Sequence, residues 1–516
     1  MRKEKAMRKI HIHGDDVIAK IDKNIYGHFT EHIGGVFYDG IWVGEDSKVP
    51  NIHGLRTEII EKLKHINAPV IRWPGGCYAE TYDWRDGIGP RDKRPTRINW
   101  WHNDDGRYEP NLVGTHEFIE FCRLSGADPY LAANITSLTP RDIRDWMDYC
   151  NSPADTTTYA RLREENGSRE SFNVKYWGVG NETWGGGGNM TAEMYGHEYR
   201  KYAVVMHNAD PSTELILAGA DDWRWPRDLL NVIESSDKLL SGMSVHYYCG
   251  SAGDPLNFNK NEWYRLLKQA LQINRVIERN WGFVVGYGLE KQARLVLDEW
   301  GCWHPGGSGP SSHMADYGIK PAVNNPNGVQ NLFEQQSTMR DAMVSALTLN
   351  LFNNNAEKIK MANTAQLVNN LHCLFLAGGE HCITTPTYHI FDMMKWHQNG
   401  DALRTSGDLG TLDISENNNS YTLPAVSISA SIKDGYLTVT AANLSLDTSE
   451  ELLLDAVGLE YTGKADIYTL TSSDPHDCNT YEEPEKVKLA EKSLNDYSGK
   501  LTVPAFSTVT VRAEVK

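Results

Sequence analysis

The sequence predicts an α/β chain: a (β/α)8 barrel followed by an all-β sandwich. Three observations carry this. Between residues 23 and 399, eight short apolar runs alternate with stretches of helical period, the pattern of a parallel sheet covered by helices. Those units occupy roughly 370 residues, the scale of a closed barrel with long loops. Beyond residue 400 the period falls to two and hairpin turns appear. A doubly wound open sheet is the alternative, weakened because no GxGxxG follows the first strand.

The elements follow in order. Residues 1–22 hold one or two strands, KIHIHGDDVIAKI, expected to join the sandwich. There the His11-x-His13 pair reads as a surface strand face, since no third ligand stands near. The first barrel strand runs from Ile25 to His32. Leu55–Asn67 places apolar residues at 55, 59, 60, 63 and 66, a helical period. Val70–Trp73 is the second strand, closed by Pro74-Gly75-Gly76-Cys77. Thr115–Gly126 is helical and Pro129–Asn134 is the third strand. Thr139-Pro140 offers an N-cap and N1 pair for a helix ending at Asn151. Strands at Val174–Asn181, Glu214–Ala220, Met243–Tyr248, Ala293–Glu299 and Lys358–Ala362 complete the eight. The helices between them are Thr191–Asn208, Pro226–Ser235, Asn261–Trp281 and Asn331–Asn350. In residues 400–516, Ser427–Lys433 and Tyr436–Ala442 flank Asp434-Gly435, a two-residue hairpin signal.

Composition narrows the function. The chain has 516 residues and a net charge of −17, which argues against nucleic acid and anionic membranes as partners. No run of 18 apolar residues suggests a membrane span. The basic start MRKEKAMRKIHIHGDD lacks an apolar h-region, so a cytoplasmic location is expected. Eight scattered cysteines without CxxC spacing fit reduced thiols and offer no zinc or redox motif.

In a barrel, chemistry gathers where the strands end. Those ends carry Glu31, Arg72, Cys77, Asn134, Asn181-Glu182, Asp221-Asp222, His246-Tyr247-Tyr248, Glu299 and Gln366. Glu182 and Glu299 each end an apolar strand close to a tryptophan, which suggests paired carboxylates. No cluster offers three well-spaced metal ligands, so neither metal nor cofactor is expected. Gly185–Gly188 lacks the Lys-Ser/Thr of a phosphate loop. Cys77 has no placeable His partner, so packing or ligand contact is favoured over a nucleophile. His246 has apolar neighbours, the setting of a satisfied core histidine, yet its strand-end place favours substrate contact.

These residues resemble a family. The stretches YGHFTEHIGG (26–35), RWPGGCYAETYDWRDGIGP (72–90), GTHEF (114–118), GVGNETWGGGGNMT (178–191), SVHYY (244–248), LDEWGCWH (297–304), RDAMVSALTLNLFN (340–353) and MANTAQLVNNL (361–371) are similar to the family 51 α-L-arabinofuranosidases, retaining glycoside hydrolases of clan A. The resemblance implies Glu182 as acid/base and Glu299 as nucleophile. It also implies substrate contacts from Glu31, Cys77, Asn181, His246, Tyr248, Trp303 and Gln366. It further implies an exo-acting enzyme on arabinoxylan or arabinan oligosaccharides, assembled as a hexamer. Arg72, at a matching strand end, is expected to contact substrate too. A β-xylosidase or endoglucanase on the same frame, and a non-catalytic sugar-binding protein, are the competing readings. The long segment 304–330 is expected to reshape the leaving-group side, which leaves the preferred polymer open.

The chemistry sets a condition on the two carboxyls. An acid must be protonated at neutral pH, whereas an ordinary Glu near ~4.3 is ionised. Burial and the charge of Glu299 are therefore expected to raise Glu182, while Glu299 stays ionised to attack.

Overall fold

The computed structural model describes residues 7–102, 108–220, 222–250, 253–304, 334–416 and 419–516. Eight parallel strands close into a barrel: Gly27–Phe29, Val70–Trp73, Asp128–Ala133, Tyr176–Val179, Glu214–Leu217, Gly242–Cys249, Arg294–Cys302 and Ile359–Ala365. Each pairs with the next, and the eighth returns to the first through Thr364 beside His28. The expected barrel is therefore present, and the open sheet is not.

Strand composition explains closure. Val70, Tyr130, Tyr176, Ile216, Val296 and Met361 come from six different strands and form one buried cluster. A second face of the same strands packs outward beneath the helices. Helix starts are written locally. In α3 (Pro140–Asn151) the Thr139 side chain accepts from the Asp142 amide, Asp142 answers to the Thr139 amide, and Pro140 opens the first turn.

The helix α8 (Met339–Asn354) departs from the expected Asn331–Asn350; residues 331–333 lie outside the described residues. Fourteen of its 16 residues are buried, so it has no polar face to mark its limits. It lies between barrel and sheet domain. Asn350 and Asn353 bond to Ser427 and Ser429, and Asn354 donates to the Ile428 carbonyl.

The C-terminal domain is built on a nine-stranded sheet with its own apolar core, formed by residues such as Val426, Ile428, Val439, Leu452, Leu454, Val509 and Val511, and carries a separate two-stranded ladder, Thr411–Glu416 with Asn419–Pro424. The strand Arg8–Lys20 lies inside this sheet, antiparallel to Asp401–Gly407 and parallel to Glu450–Val457. The hairpin at Asp434-Gly435 joins Val426–Lys433 to Tyr436–Asn443 in register.

Candidate active site

Glu182 follows the fourth barrel strand with φ 41, in the left-handed region. A glutamate held there is strained by roughly 1–3 kcal/mol, and such strain persists where the surroundings over-determine it. Here Glu80 supplies that restraint. Its buried carboxylate accepts the amides of Ile135 and Thr136 on one oxygen and of Asn181 on the other. Glu299 lies inside the seventh strand, in register with His246 on the sixth. Its neighbour Trp300 faces outward against Phe352 and Phe391.

The two carboxylates face each other across His246. Its Nδ1 is 2.8 Å from Glu182 Oε1 and 3.4 Å from Glu299 Oε2, and its Nε2 is 3.3 Å from Asp298 Oδ1. Ligand atoms of Glu182, His246 and Glu299 all lie within 4.8 Å of one another. Arg72 Nη1 donates to Glu299 Oε1 at 2.8 Å, and the Tyr248 hydroxyl donates to Oε2 at 2.8 Å. Two N–H or O–H donors aimed at one carboxylate favour its ionised form.

A cavity of about 280 Å³ opens beside this pair, lined by Glu31, Cys77, Trp101, Glu182, Trp184, Tyr248, Glu299, Trp303 and Gln366 among others. Glu31 is fixed by the amides of Gly76 and Tyr78, the Trp101 indole N–H and the Gln366 amide. Gly75 and Gly76 are required by close approach. A Cβ on Gly75 would sit 2.6 Å from Glu31 Cγ, and one on Gly76 2.8 Å from Glu299 Oε1. Among the buried atoms near the site without a hydrogen-bond partner are Asn181 Nδ2, a donor, and Gln366 Oε1, an acceptor. Unpaired polar atoms beside a cavity are what sugar hydroxyls satisfy. On the far side of Glu182 a second cavity, about 330 Å³, is lined by Trp184, Gly219, Ala220, Asp222, Trp225, His246 and Tyr248.

The electrostatics differ from the expectation for Glu182. Burial pushes Glu182 up, but the hydrogen bond and charge of His246 outweigh it and hold the carboxyl below its ordinary value. His246 would be lowered by burial, yet Glu299, Asp298 and Glu182 surround it and raise it to about 10. Glu299 is raised, by burial first and by Glu182. Glu31 is raised to about 7 by burial and by Glu299. Burial and nearby carboxylates push the Cys77 thiol up, so it stays protonated; its Sγ is 3.9 Å from Glu182 Oε2. The sequence reading weighed Glu299 as the neighbour of Glu182 and did not pair the acid with His246.

Of the expected site residues, Glu31, Cys77, Glu182, Tyr248, Glu299, Trp303 and Gln366 line the first cavity, while His246 and Asp222 line the second together with Glu182 and Tyr248. Arg72 lies beneath, touching Glu299 and, through Nη2, Asn181 Oδ1 at 2.6 Å. Asn134 builds a turn with Thr136, Ser137 and the Tyr82 carbonyl, and Tyr247 bonds the Gln269 carbonyl away from the mouth. Asp221 and residues 305–330 are outside the described residues. Sequence reasoning assigned no role to Glu80, Trp101, Trp184 or Asp298. Trp184 stood in the quoted motif, two residues after Glu182, as a usable signal. Asp298 adjoins Glu299; its buried carboxylate holds Arg72, Tyr130, Ser244 and His246 together.

Comparison with known proteins identifies the family. Residues 62–254 match the model of the α-L-arabinofuranosidase 1 domain, and residues 298–507 that of the α-L-arabinofuranosidase C-terminal domain. An intracellular exo-α-L-arabinofuranosidase of Bacteroides ovatus is 37% identical, covering 98% of this chain and 95% of its own. The crystal structure of the GH51 arabinofuranosidase of Xanthomonas axonopodis pv. citri superposes with a TM-score of 0.88 at 32% identity, covering 99% of this chain and 100% of that one. The α-L-arabinofuranosidase of Thermotoga maritima, solved as an arabinose complex, superposes with a TM-score of 0.81 at 29% identity, over 98% of this chain and 100% of that one.

Proposed function

The chain belongs to the family 51 α-L-arabinofuranosidases, and from that premise we propose that it removes terminal α-L-arabinofuranosyl units from arabinoxylan or arabinan oligosaccharides by double displacement. The single observation that carries the mechanism is the pair Glu182 and Glu299, with carboxylate oxygens within 4.8 Å and His246 between them. Retaining pairs stand about 5–5.5 Å apart, whereas inverting pairs need roughly 6.5–9.5 Å to admit a water. A cavity of 280 Å³ suits one pentose rather than a chain, which favours exo action.

In this reading Glu299, held by Arg72 and Tyr248, attacks the anomeric carbon. The leaving oxygen lies toward the second cavity and takes a proton from Glu182. That proton is already in the site, on His246 Nδ1, and reaches Glu182 along their 2.8 Å hydrogen bond. Once Glu299 is esterified its charge is gone, and Glu182 serves as base for the incoming water. Asn181 Nδ2 and Gln366 Oε1 are the free partners for ring hydroxyls. Cys77, Trp303 and Glu31 complete the sugar contacts, and Arg72 acts through Glu299 and Asn181. Residues 23–399 are the catalytic unit, with residues 1–22 and 400–516 as its cover.

The test is hydrolysis of a chromogenic α-L-arabinofuranoside, followed by NMR, against β-xyloside and cellulose controls. Release of arabinose first in the substrate's own anomeric form is expected. An inverted first product, or faster turnover of the controls, removes the reading.

Two further points belong to the same proposal. A cytoplasmic location is supported by eight unpaired cysteines and by the printed name of the Bacteroides relative. Among the described residues no helix is long and apolar enough to cross a membrane. Assembly as a hexamer rests on the family resemblance; Ile98 and Tyr108, exposed cross-strand partners on a surface ladder, are available for a contact between copies.

A further inference from the structure

A second cluster of metal-ligating side chains lies behind the catalytic wall. Side chains alternate along a strand. Glu299 therefore faces the mouth while Cys302, three positions on, faces the helices. Cys302 is in register with Cys249 at the end of the sixth strand. Its sulfur lies within 4.8 Å of a ring nitrogen of His304. His304 follows two residues later, and Asp341 stands in the first turn of α8. A ligand atom from each of Cys302, His304 and Asp341 lies within 4.8 Å of the other two. Burial is complete or nearly so: relative exposure is 0% for Cys302 and His304, 2% for Asp341 and 3% for Cys249.

The hydrogen bonding within the cluster is incomplete. His304 Nε2 is 2.7 Å from Asp341 Oδ1. Its Nδ1 is buried with no hydrogen-bond partner. Asp341 Oδ2 is already used, accepting the Thr338 amide. A thiol, an imidazole with a spare nitrogen and a carboxylate thus converge in a site closed to solvent.

We propose that Cys302, His304 and Asp341, with the Cys249 sulfur in reach as a fourth donor, hold one zinc ion. The donor set decides the class. Sulfur and imidazole select zinc and its borderline-soft neighbours, whereas magnesium and calcium require oxygen cages. The three donors are buried and none of them lines the sugar cavity, so the ion would hold the fold and not act on substrate. On binding, Cys302 gives up its thiol proton and the His304–Asp341 pair gives up the proton it shares. Both leave as H⁺ to solvent, and metal–sulfur, metal–nitrogen and metal–oxygen bonds form. The ion would tie the ends of the sixth and seventh strands to the start of α8. Between its ligands stands Trp303, which lines the sugar cavity and meets Tyr248 edge to face at 5.3 Å. The zinc is thus a staple that sets Trp303. Sequence spacing hides the site, because His304 and Asp341 are 37 positions apart.

Cobalt is the probe, since thiolate ligation to Co²⁺ gives a charge-transfer band in the near ultraviolet. The full chain is produced in zinc-depleted medium supplied with Co²⁺, and its metal content and absorption are read. One Co²⁺ per chain with that band is expected. Cys302→Ser should remove the band while circular dichroism stays as in the parent. His304→Gln should weaken retention against a chelator tenfold or more, and Cys122→Ser, in a separate buried site, should change nothing. If Cys302→Ser fails to fold, Cys249→Ala carries the test through a weakened, shifted band. Cys77 Sγ lies 3.9 Å from Glu182 Oε2, so Cys77→Ser separates the two clusters and should leave the band in place. A parent chain without the band, or a band unchanged in both the Cys302 and Cys249 variants, overturns the proposal.

Discussion

His246 stands at the centre of the site. With three carboxylates around it, it stays cationic through neutral pH and loses its proton only near pH 10. The alkaline limb of kcat/KM therefore reports loss of the proton shared with Glu182. In His246→Gln that proton has no imidazole to hold it, and Glu182 alone must carry it. The alkaline limb should move to lower pH; an unchanged limb would show that His246 is no part of the acid. Glu182→Ala should slow substrates with poor leaving groups by about 10²–10⁴-fold and activated aryl arabinofuranosides far less, because only the former need a proton. Azide should restore turnover and give a glycosyl azide of the substrate's own configuration. The opposite configuration would sink the assignment. Glu31, Glu182, Glu299 and Gln366 could be named from sequence because each follows or ends an apolar run. The bond between His246 and Glu182 could not, since it joins two strands 64 positions apart.

Glu80 shows how an element is held. It sits in a short 3-10 turn, Cys77–Thr81, after the second barrel strand. From there it fixes amides after the third and fourth strands. A carboxylate can accept all three; a carboxamide must turn one N–H₂ toward an amide N–H. Glu80→Gln should therefore cost about 1–3 kcal/mol of stability. It should also lower kcat more than it raises KM, because Glu182 follows Asn181. Calorimetry with steady-state kinetics checks this, and equal loss in both constants would count against a positioning role. The sequence offered only a glutamate in an otherwise apolar turn, with its amide partners 55, 56 and 101 positions away. The eight strands and α3 were legible because period and capping are local. The first strand proved shorter than Ile25–His32, since Lys23–Tyr26 form a 3-10 turn and Thr30–His32 leave the sheet. The helices α4 (Thr158–Glu165) and α9 (Pro386–Met394) had no counterpart in the sequence reading. Few buried residues mark α4, and α9 is apolar nearly all round, so neither shows a clear stripe.

At the scale of the molecule, the proposed hexamer predicts a mass in solution near six times 58.1 kDa. Light scattering over a dilution series checks it, and a monomer at working concentration would refute it. The barrel and its sheet domain could be told apart in sequence by the change of period near residue 400, and residues 1–22 were expected to join the sheet domain; which strands flank them could not be read. Arg8 bonds Glu450 at 2.8 Å, a partner 442 positions away. That join sets a timetable for synthesis. The strand Arg8–Lys20 leaves the ribosome early, yet both its neighbours in the sheet, Asp401–Gly407 and Glu450–Val457, arrive after the whole barrel has been made. Until then it travels as an unpaired edge, exposed to any chaperone or neighbouring chain that accepts a strand. A polypeptide interrupted anywhere before residue 450 would keep that edge open, and so carry a mark by which incomplete copies differ from finished ones.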